Sequence, residues 1–241
     1  QHQFFGHGRM ERDRVVEIPT AVGFCAYLRR AMLREVGLLN TERWKRGYGE
    51  ENELCILAAA RGWKHVLAPD LFVVHHGAVS FGAAGRKTQL EANLATLNHL
   101  YPDYIPRVMD FLRGDPVAPM RRAVDWARRG QLSDRFMLHV SHRNGGGTNV
   151  HVEDMVRRLE AKGEAALILE ANADDRDIAT IRNLALGTKS VYHLPEDSDA
   201  LLADLRGGGV WHIHFHQVMG CAPWASLPAQ LVCAYYVTAP D

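Results

Sequence analysis

The chain has 241 residues, of which 47% are apolar and 23% are charged, and its 28 basic residues equal its 28 acidic ones in number. This composition excludes a mainly disordered chain, and zero formal net charge argues against a protein built to bind a nucleic-acid backbone. The four cysteines form no CxxC pair, and no apolar run reaches the roughly 18 residues of a transmembrane helix. These features predict a globular protein of a reducing cytoplasm.

Short strands and helices alternate in the first 110 residues. The predicted strands are 15–18, 66–68 and 71–75, and the predicted helices are 29–36, 51–60 and 89–100. The helix at 51–60 starts within a run of acidic residues, which suits the positive end of a helix dipole. This part of the chain is predicted to form a domain of its own, residues 1–110.

The segment 111–134 is rich in arginine, proline and glycine, and it is predicted to be a linker with one short helix at 120–129. A different pattern then fills residues 135–241. Its predicted strands are 136–141, 165–170, 190–194, 210–215 and 234–238, and its predicted helices are 149–161, 195–205 and 224–231. This alternation predicts a second domain of the α/β class, with a parallel sheet and crossover helices.

Three glutamates, Glu50, Glu51 and Glu53, lie at the start of the helix predicted at 51–60. Residues three apart share a helix face, so Glu50 and Glu53 are neighbours and Glu51 points elsewhere. A carboxylate at the mouth of a cleft can take the proton from an attacking sugar hydroxyl. The alternative is a solvated helix start whose acids interact with the helix dipole.

Two groups of histidines are candidates for metal binding. His75 and His76 follow a predicted strand, and adjacent strand residues face opposite ways, so at most one of them is expected to be a ligand. His212, His214 and His216 alternate along a strand, so their imidazoles share one face and can bind a metal. The alternatives are a hydrogen-bonded structural histidine at 75 and a polar strand face that lines the cleft at the carboxyl edge of the sheet.

A series of motifs in residues 15–105 carries a family resemblance. It comprises Gly23-Phe24-Cys25-Ala26, Glu35-Val36-Gly37, Gly47-Tyr48-Gly49-Glu50-Glu51-Asn52-Glu53, Gly62-Trp63, Ala68-Pro69-Asp70 and Val74-His75-His76-Gly77. In order and spacing it resembles the C-terminal half of inverting GT-A fold glycosyltransferases of the family 2 type. The resemblance implies that Glu51 is the catalytic base, that Glu50, the first acid of the motif, is a second catalytic residue, and that His75 binds Mn²⁺ or Mg²⁺. It also implies that Gly23, Phe24, Gly49 and Glu53 contact the substrates.

The resemblance has one departure and one missing part. Glu51 stands where the family more often has aspartate, which is one methylene shorter. The nucleotide-binding half of such an enzyme is expected before residue 1, and both ends of the chain are interpreted as cuts inside a longer protein. The isolated fragment is therefore predicted to be inactive.

A second resemblance covers residues 135–241. His139-Val140-Ser141-His142, followed by Gly145-Gly146-Gly147-Thr148, resembles the opening of GT-B fold glycosyltransferases of the family 4 type, which is Rossmann-like. There the glycine-rich turn lies near the donor phosphates and the acceptor, so Gly145, Gly146 and Gly147 are implied as substrate-binding residues. Pro240 replaces the histidine that this family usually has before its aspartate.

Together the two resemblances predict a hexosyltransferase-like enzyme that moves a sugar from a nucleotide-sugar donor to a saccharide acceptor in polysaccharide, lipopolysaccharide or glycoprotein synthesis. A lipid-linked acceptor would bring peripheral membrane association, and no nucleic-acid partner is expected. One alternative is a non-catalytic carbohydrate-binding or scaffolding module derived from such an enzyme. The other is a nucleotide-dependent oxidoreductase, against which the missing GxGxxG turn after Ser141 counts.

Overall fold

The structure is a computed structural model, and it describes residues 15–44, 49–68, 73, 83–142, 146–171, 177–216 and 224–238. The chain divides into two compact units, Gln1–Val117 and Ala118–Asp241. The division falls inside the segment predicted as a linker. Most of that segment is helical, and its larger helix belongs to the second unit.

The first unit is mainly helical in its described part. Its helices are α1 (Arg30–Val36), α2 (Glu50–Ala59), α3 (Ala83–Leu100) and α4 (Tyr104–Gly114), preceded by a 3-10 turn at Gly23–Cys25. The strands predicted at 15–18 and 66–68 are reduced to one antiparallel bridge between Glu17 and Val66. The strand predicted at 71–75 lies outside the described residues except for Val73.

Helix α4 has no counterpart among the predicted elements. The prediction ended the helical region at Pro102, and a second proline, Pro106, follows four residues later. In the structure Pro106 is the third residue of α4. A proline in the first turn of a helix removes no intrahelical hydrogen bond, so the helix tolerates it.

Two small apolar clusters hold the first unit together around α2. One joins Met32 of α1 to Leu54 and Ala58 of α2. The other joins Trp44 to Leu97 of α3 and Tyr104 of α4. None of the helices in the described residues of either unit has the length and apolarity needed to cross a bilayer.

The second unit is built on a six-stranded mixed sheet with the strand order β4-β3-β2-β1-β5-β6. The strands are β1 (Phe136–His142), β2 (Ala166–Ala171), β3 (Ile178–Asn183), β4 (Thr188–His193), β5 (Val210–Phe215) and β6 (Ala234–Val237). The neighbours β2, β1, β5 and β6 are parallel, as predicted, and the unit is an α/β structure compatible with a Rossmann-like fold.

The prediction of a fully parallel sheet is wrong at one side. Strand β3 was not predicted, and β3 and β4 pair antiparallel with each other, as β3 does with β2. Only a short turn separates Asn183 from Thr188, and the Asn183 side chain accepts the Leu186 N–H at 2.8 Å. A connection this short cannot form the crossover that parallel strands need, so it makes a hairpin.

Helix α5 (Ala118–Leu132) packs on the outer strand β4 and is part of the second unit. Arg122 donates to both carboxylate oxygens of Asp197, at 2.9 and 3.0 Å. Trp126 donates its indole N–H to the Tyr192 hydroxyl at 2.8 Å. The helix predicted at 120–129 therefore exists, but it belongs to a folded core rather than to a free linker.

Helices cover both faces of this sheet. Leu201 and Leu205 of α7 (Ser198–Gly207) and Leu227 of α8 (Leu227–Leu231) pack on one face. On the other face, α6 (Gly147–Glu160) places its own apolar residues against β2. The chain passes from β1 through α6 to β2 on one side, whereas β5 lies on the other side of β1. α/β proteins commonly bind ligands at the carboxyl ends of the strands where the order reverses in this way, which here are β1 and β5.

Candidate functional site

In the first unit, residues 20–23 lie along one face of α2. The Thr20 hydroxyl donates to Asn52 Oδ1 at 3.2 Å, and the Ala21 N–H donates to Cys55 Sγ at 3.4 Å. These two bonds bring Gly23 next to Glu51: a Cβ on Gly23 would lie 3.8 Å from Glu51 Cδ and 3.9 Å from its Oε1. Two residues predicted for one site are therefore neighbours in the structure.

Glu53 points into a different environment and is 2% exposed. Its carboxylate accepts hydrogen bonds from Trp44 Nε1 and the Tyr101 hydroxyl, both at 2.9 Å, and from the Arg43 guanidinium. Burial alone would raise the pKa of Glu53, but the three donors together hold the pKa below its ordinary value of 4.5. This carboxylate ties the loop before α2 to the residues after α3, and its oxygens are already occupied.

Gly49 and Glu50 form the start of α2. The Glu50 side chain turns back, and its Oε2 accepts the Gly49 N–H at 3.0 Å. Gly49 is buried and packs directly against the Trp44 ring. A Cβ at this position would lie only 2.3 Å from Trp44 Cε3. Glu51 differs from its two acidic neighbours: it is partly buried and makes no side-chain hydrogen bond within the described part of the chain.

The close approach of Gly49 and Trp44 gives a test of whether Gly49 is a structural glycine. Gly49→Ala is expected to destabilise the first unit by about 1–3 kcal/mol, because the added methyl overlaps the buried indole. Urea denaturation measures the change. Gly114→Ala is the matched control in the same unit, since a Cβ there would meet no atom within 4 Å in the described residues beyond its own stretch of helix. Equal stability of the two variants would contradict the structural role.

The other residues implied in substrate or metal binding are placed as follows. Phe24 lies in the 3-10 turn beside Gly23 and is 50% exposed. His75, His76 and Gly145 lie outside the described residues. Gly147 is the first residue of α6, and Gly146 precedes it with a φ of 82°, a conformation that favours glycine. The two glycines leave the amino end of α6 without a side-chain cap.

A cluster of three buried histidines occupies the carboxyl edge of the second unit. His139 lies on β1 and pairs in register with His214 on β5, and His216 directly follows β5. The rings are close to one another, with centroids 3.8 Å apart for His214 and His216 and 5.1 Å apart for His139 and His216. Their exposed fractions are 0%, 2% and 8% for His139, His214 and His216. We call these three residues the histidine cluster.

Hydrogen bonds fix one nitrogen of each ring in the cluster. His139 Nδ1 and His216 Nε2 share a hydrogen bond of 2.8 Å. His214 Nε2 is hydrogen-bonded to the Thr238 hydroxyl at 2.6 Å, just beyond β6. His151 of α6 extends the group, with its ring edge-on to His216 at a centroid distance of 5.9 Å.

The histidine cluster is neutral at pH 7. Burial, followed by repulsion from neighbouring histidines, lowers the pKa of His139 to about 4, of His214 to about 4 and of His216 to about 3. Burial removes the water that would stabilise the charged imidazolium. Neutral imidazoles keep a nitrogen lone pair, so they can accept a proton or bind a metal ion.

The cluster differs from the histidine group found in the sequence. His212, His214 and His216 were grouped because they alternate on one strand, but the structure joins His214 and His216 to His139. His212 lies two residues before His214, toward the amino end of β5, and it pairs in register with Met137 of β1. The alternation correctly placed His214 and His216 together. The partner from β1 could not be found without knowing that β1 and β5 are neighbours.

No family model, curated protein or solved structure matches this chain. The resemblance to glycosyltransferases therefore rests on the sequence motifs alone.

Proposed function

We propose that this chain is part of an inverting, nucleotide-sugar-dependent glycosyltransferase in which the first unit supplies the base, Glu51. In this proposal the first unit is the acceptor-side half of a GT-A domain. The second unit is the Rossmann-like N-terminal domain of a GT-B enzyme. The donor is a nucleotide sugar, and the acceptor is a saccharide.

The difference among the three glutamates carries the proposal. Glu53 is held by three donors and Glu50 accepts the Gly49 N–H, so both carboxylates have structural partners. Glu51 has its carboxyl group beside Gly23, the residue that the family resemblance places at the substrate. A general base needs a free oxygen within hydrogen-bond reach of the acceptor hydroxyl, and Glu51 meets this requirement best of the three.

Gly23 supports the same assignment through its lack of a side chain. A larger residue at 23 would contact the Glu51 carboxyl group at 3.8 to 3.9 Å and fill the space beside it. With glycine there, a sugar hydroxyl can approach the carboxylate from that side. Phe24, which the family resemblance also implies in substrate binding, is half-exposed next to Gly23.

The second unit supports the proposal at the level of fold. Among its four parallel strands, β2 lies on one side of β1 and β5 on the other. A helix that starts with glycines follows β1. Backbone N–H groups at the start of a helix attract anions such as a sugar-nucleotide phosphate. In the proposal a divalent cation, Mn²⁺ or Mg²⁺, is held with the help of His75 and offsets the charge of the departing nucleoside diphosphate.

A donor and acceptor screen tests the proposal. The native protein that carries this chain is incubated with UDP-, GDP- and dTDP-hexoses, oligosaccharide acceptors and Mn²⁺, and nucleoside diphosphate release is measured. Acceptor-dependent release with inversion at the anomeric carbon is the expected result. Saccharide binding without any donor turnover would instead identify a non-catalytic module, and hydride transfer to a nicotinamide would identify an oxidoreductase.

A further inference from the structure

The histidine cluster at the carboxyl edge of the second unit has unmet bonding capacity. Each of its three rings has one nitrogen that is buried and has no hydrogen-bond partner among the described residues: His139 Nε2, His214 Nδ1 and His216 Nδ1. A buried polar atom without a partner typically costs about 1–3 kcal/mol. The three rings lie next to one another, so this unmet bonding capacity favours a ligand with affinity for imidazole nitrogen.

At least one of these nitrogens carries a free lone pair. In the hydrogen bond between His139 Nδ1 and His216 Nε2, one ring donates its proton. A neutral imidazole has a single N–H, so the other nitrogen of the donating ring is an unprotonated acceptor. This holds whichever ring donates. A cation is therefore a better match for the cluster than an anion, because this lone pair would repel the negative charge of an anion.

The spacing of the three rings is suited to one metal ion. Each histidine offers one ring nitrogen, and the three nitrogens lie within 4.8 Å of one another. In a tetrahedral zinc site the metal–nitrogen distance of about 2.0–2.1 Å separates the ligand nitrogens by roughly 3.4 Å. Binding through the free nitrogens of His139 and His216 leaves an N–H on each of the two nitrogens that share a hydrogen bond, so these two rings must shift apart when the ion binds.

Thr238 supplies the orienting contact that metal-binding histidines normally have. Its hydroxyl is hydrogen-bonded to His214 Nε2 at 2.6 Å, which leaves Nδ1 of the same ring for another ligand. In metal sites, a hydrogen bond to the ring nitrogen that does not bind the metal sets the orientation of the histidine ring. Residues from β1, from β5 and from the segment after β6 thus contact one another in this cluster.

We infer that His139, His214 and His216 bind a divalent transition-metal ion of the Zn²⁺ type. Imidazole nitrogen suits Zn²⁺, Co²⁺, Ni²⁺ and Cu²⁺, whereas Mg²⁺ and Ca²⁺ take oxygen ligands. Three protein ligands leave a fourth position for water or a bound molecule, as in sites where zinc acts on a substrate. This inference does not depend on sugar transfer, and it concerns other residues than the predicted metal ligand His75.

Cobalt titration of the chelator-treated chain tests the inference. Co²⁺ is expected to bind at one ion per chain and to give the visible absorption bands of a four-coordinate ion, and Zn²⁺ is expected to displace it. His214→Gln and His216→Asn should each weaken Co²⁺ binding by at least about a hundredfold. Losing a hydrogen-bond partner of a metal ligand usually has a smaller effect. Thr238→Val, which keeps all three ligands, should weaken Co²⁺ binding by about tenfold. His193→Gln, at an exposed histidine of β4, is the control and should change nothing.

A measurement on the unaltered chain covers the case in which a buried variant fails to fold. In long-range ¹H–¹⁵N spectra of the histidine side chains, Zn²⁺ is expected to shift the ring nitrogens of His139, His214 and His216 and to leave His193 in place. Absence of a stoichiometric Co²⁺ site, or Zn²⁺-induced shifts that spare these three rings, would overturn the inference. The cluster would then be a hydrogen-bonded group whose free nitrogens bind water.

Discussion

Glu51→Gln is expected to lower sugar transfer by at least about a hundredfold, the low end of the loss for a general base. Glutamine keeps the size of the side chain beside Gly23 but cannot take a proton from the acceptor hydroxyl. The loss should appear in kcat, and binding of the nucleotide sugar should change little. Steady-state kinetics on the native protein that carries this chain, with calorimetry for the donor, measures both quantities.

Glu50→Gln is the matched control for this prediction. Glu50 is the preceding residue of the same helix, and its side chain accepts the Gly49 N–H, a bond that the glutamine oxygen can keep. The control is expected to retain most of the activity. If Glu50→Gln is inactive and Glu51→Gln is fully active, the base has been assigned to the wrong carboxylate. Glu51→Asp, which restores the residue more common in the resembled family, is expected to remain active.

Glu53→Gln is expected to destabilise the first unit by roughly 1–3 kcal/mol, the usual cost of leaving buried hydrogen-bonding groups without a matching partner. The substitution leaves the Arg43 guanidinium without its carboxylate, and it places an amide N–H₂ where Trp44 and Tyr101 both donate. Hydrogen exchange measured by mass spectrometry should show faster exchange in α2 and the end of α3, with no change in the second unit. Glu50→Gln again serves as the control, because its side chain is at the open start of α2.

The stabilisation by Glu53 is expected to depend on pH with a definite sign. The folded-state pKa of Glu53 lies below its ordinary value of 4.5. A carboxylate of this kind adds stability that is fully present above the unfolded-state pKa and is lost as the pH falls through the folded-state pKa. The stability difference between the natural chain and Glu53→Gln should therefore be fully present at pH 7 and shrink as the pH falls below 4.5. A difference that stays constant with pH would show that the loss comes from packing rather than from charge.

Local sequence patterns predicted several elements closely. Strand β5 was predicted with its observed bounds, since Val210–Phe215 is a short β-prone run that begins directly after glycines. Helix α1 ends at Val36 because Gly37 takes a φ of 101°, which a glycine adopts without strain. The hairpin of β3 and β4 was missed because neither a long apolar run nor a standard two-residue turn marks it.

The candidate sites also show how far local sequence patterns can predict the structure. The sequence by itself determined that three glutamates start α2 and that His214 and His216 share one face of β5, because helix and strand periods decide such relations locally. Only the tertiary structure decided that Glu53 meets Tyr101 and that Glu51 does not. It also brought His139 to His214, since strands distant in sequence become neighbours through the sheet order. Side-chain contacts over such distances depend on packing of the whole unit, and no spacing within a single segment contains them.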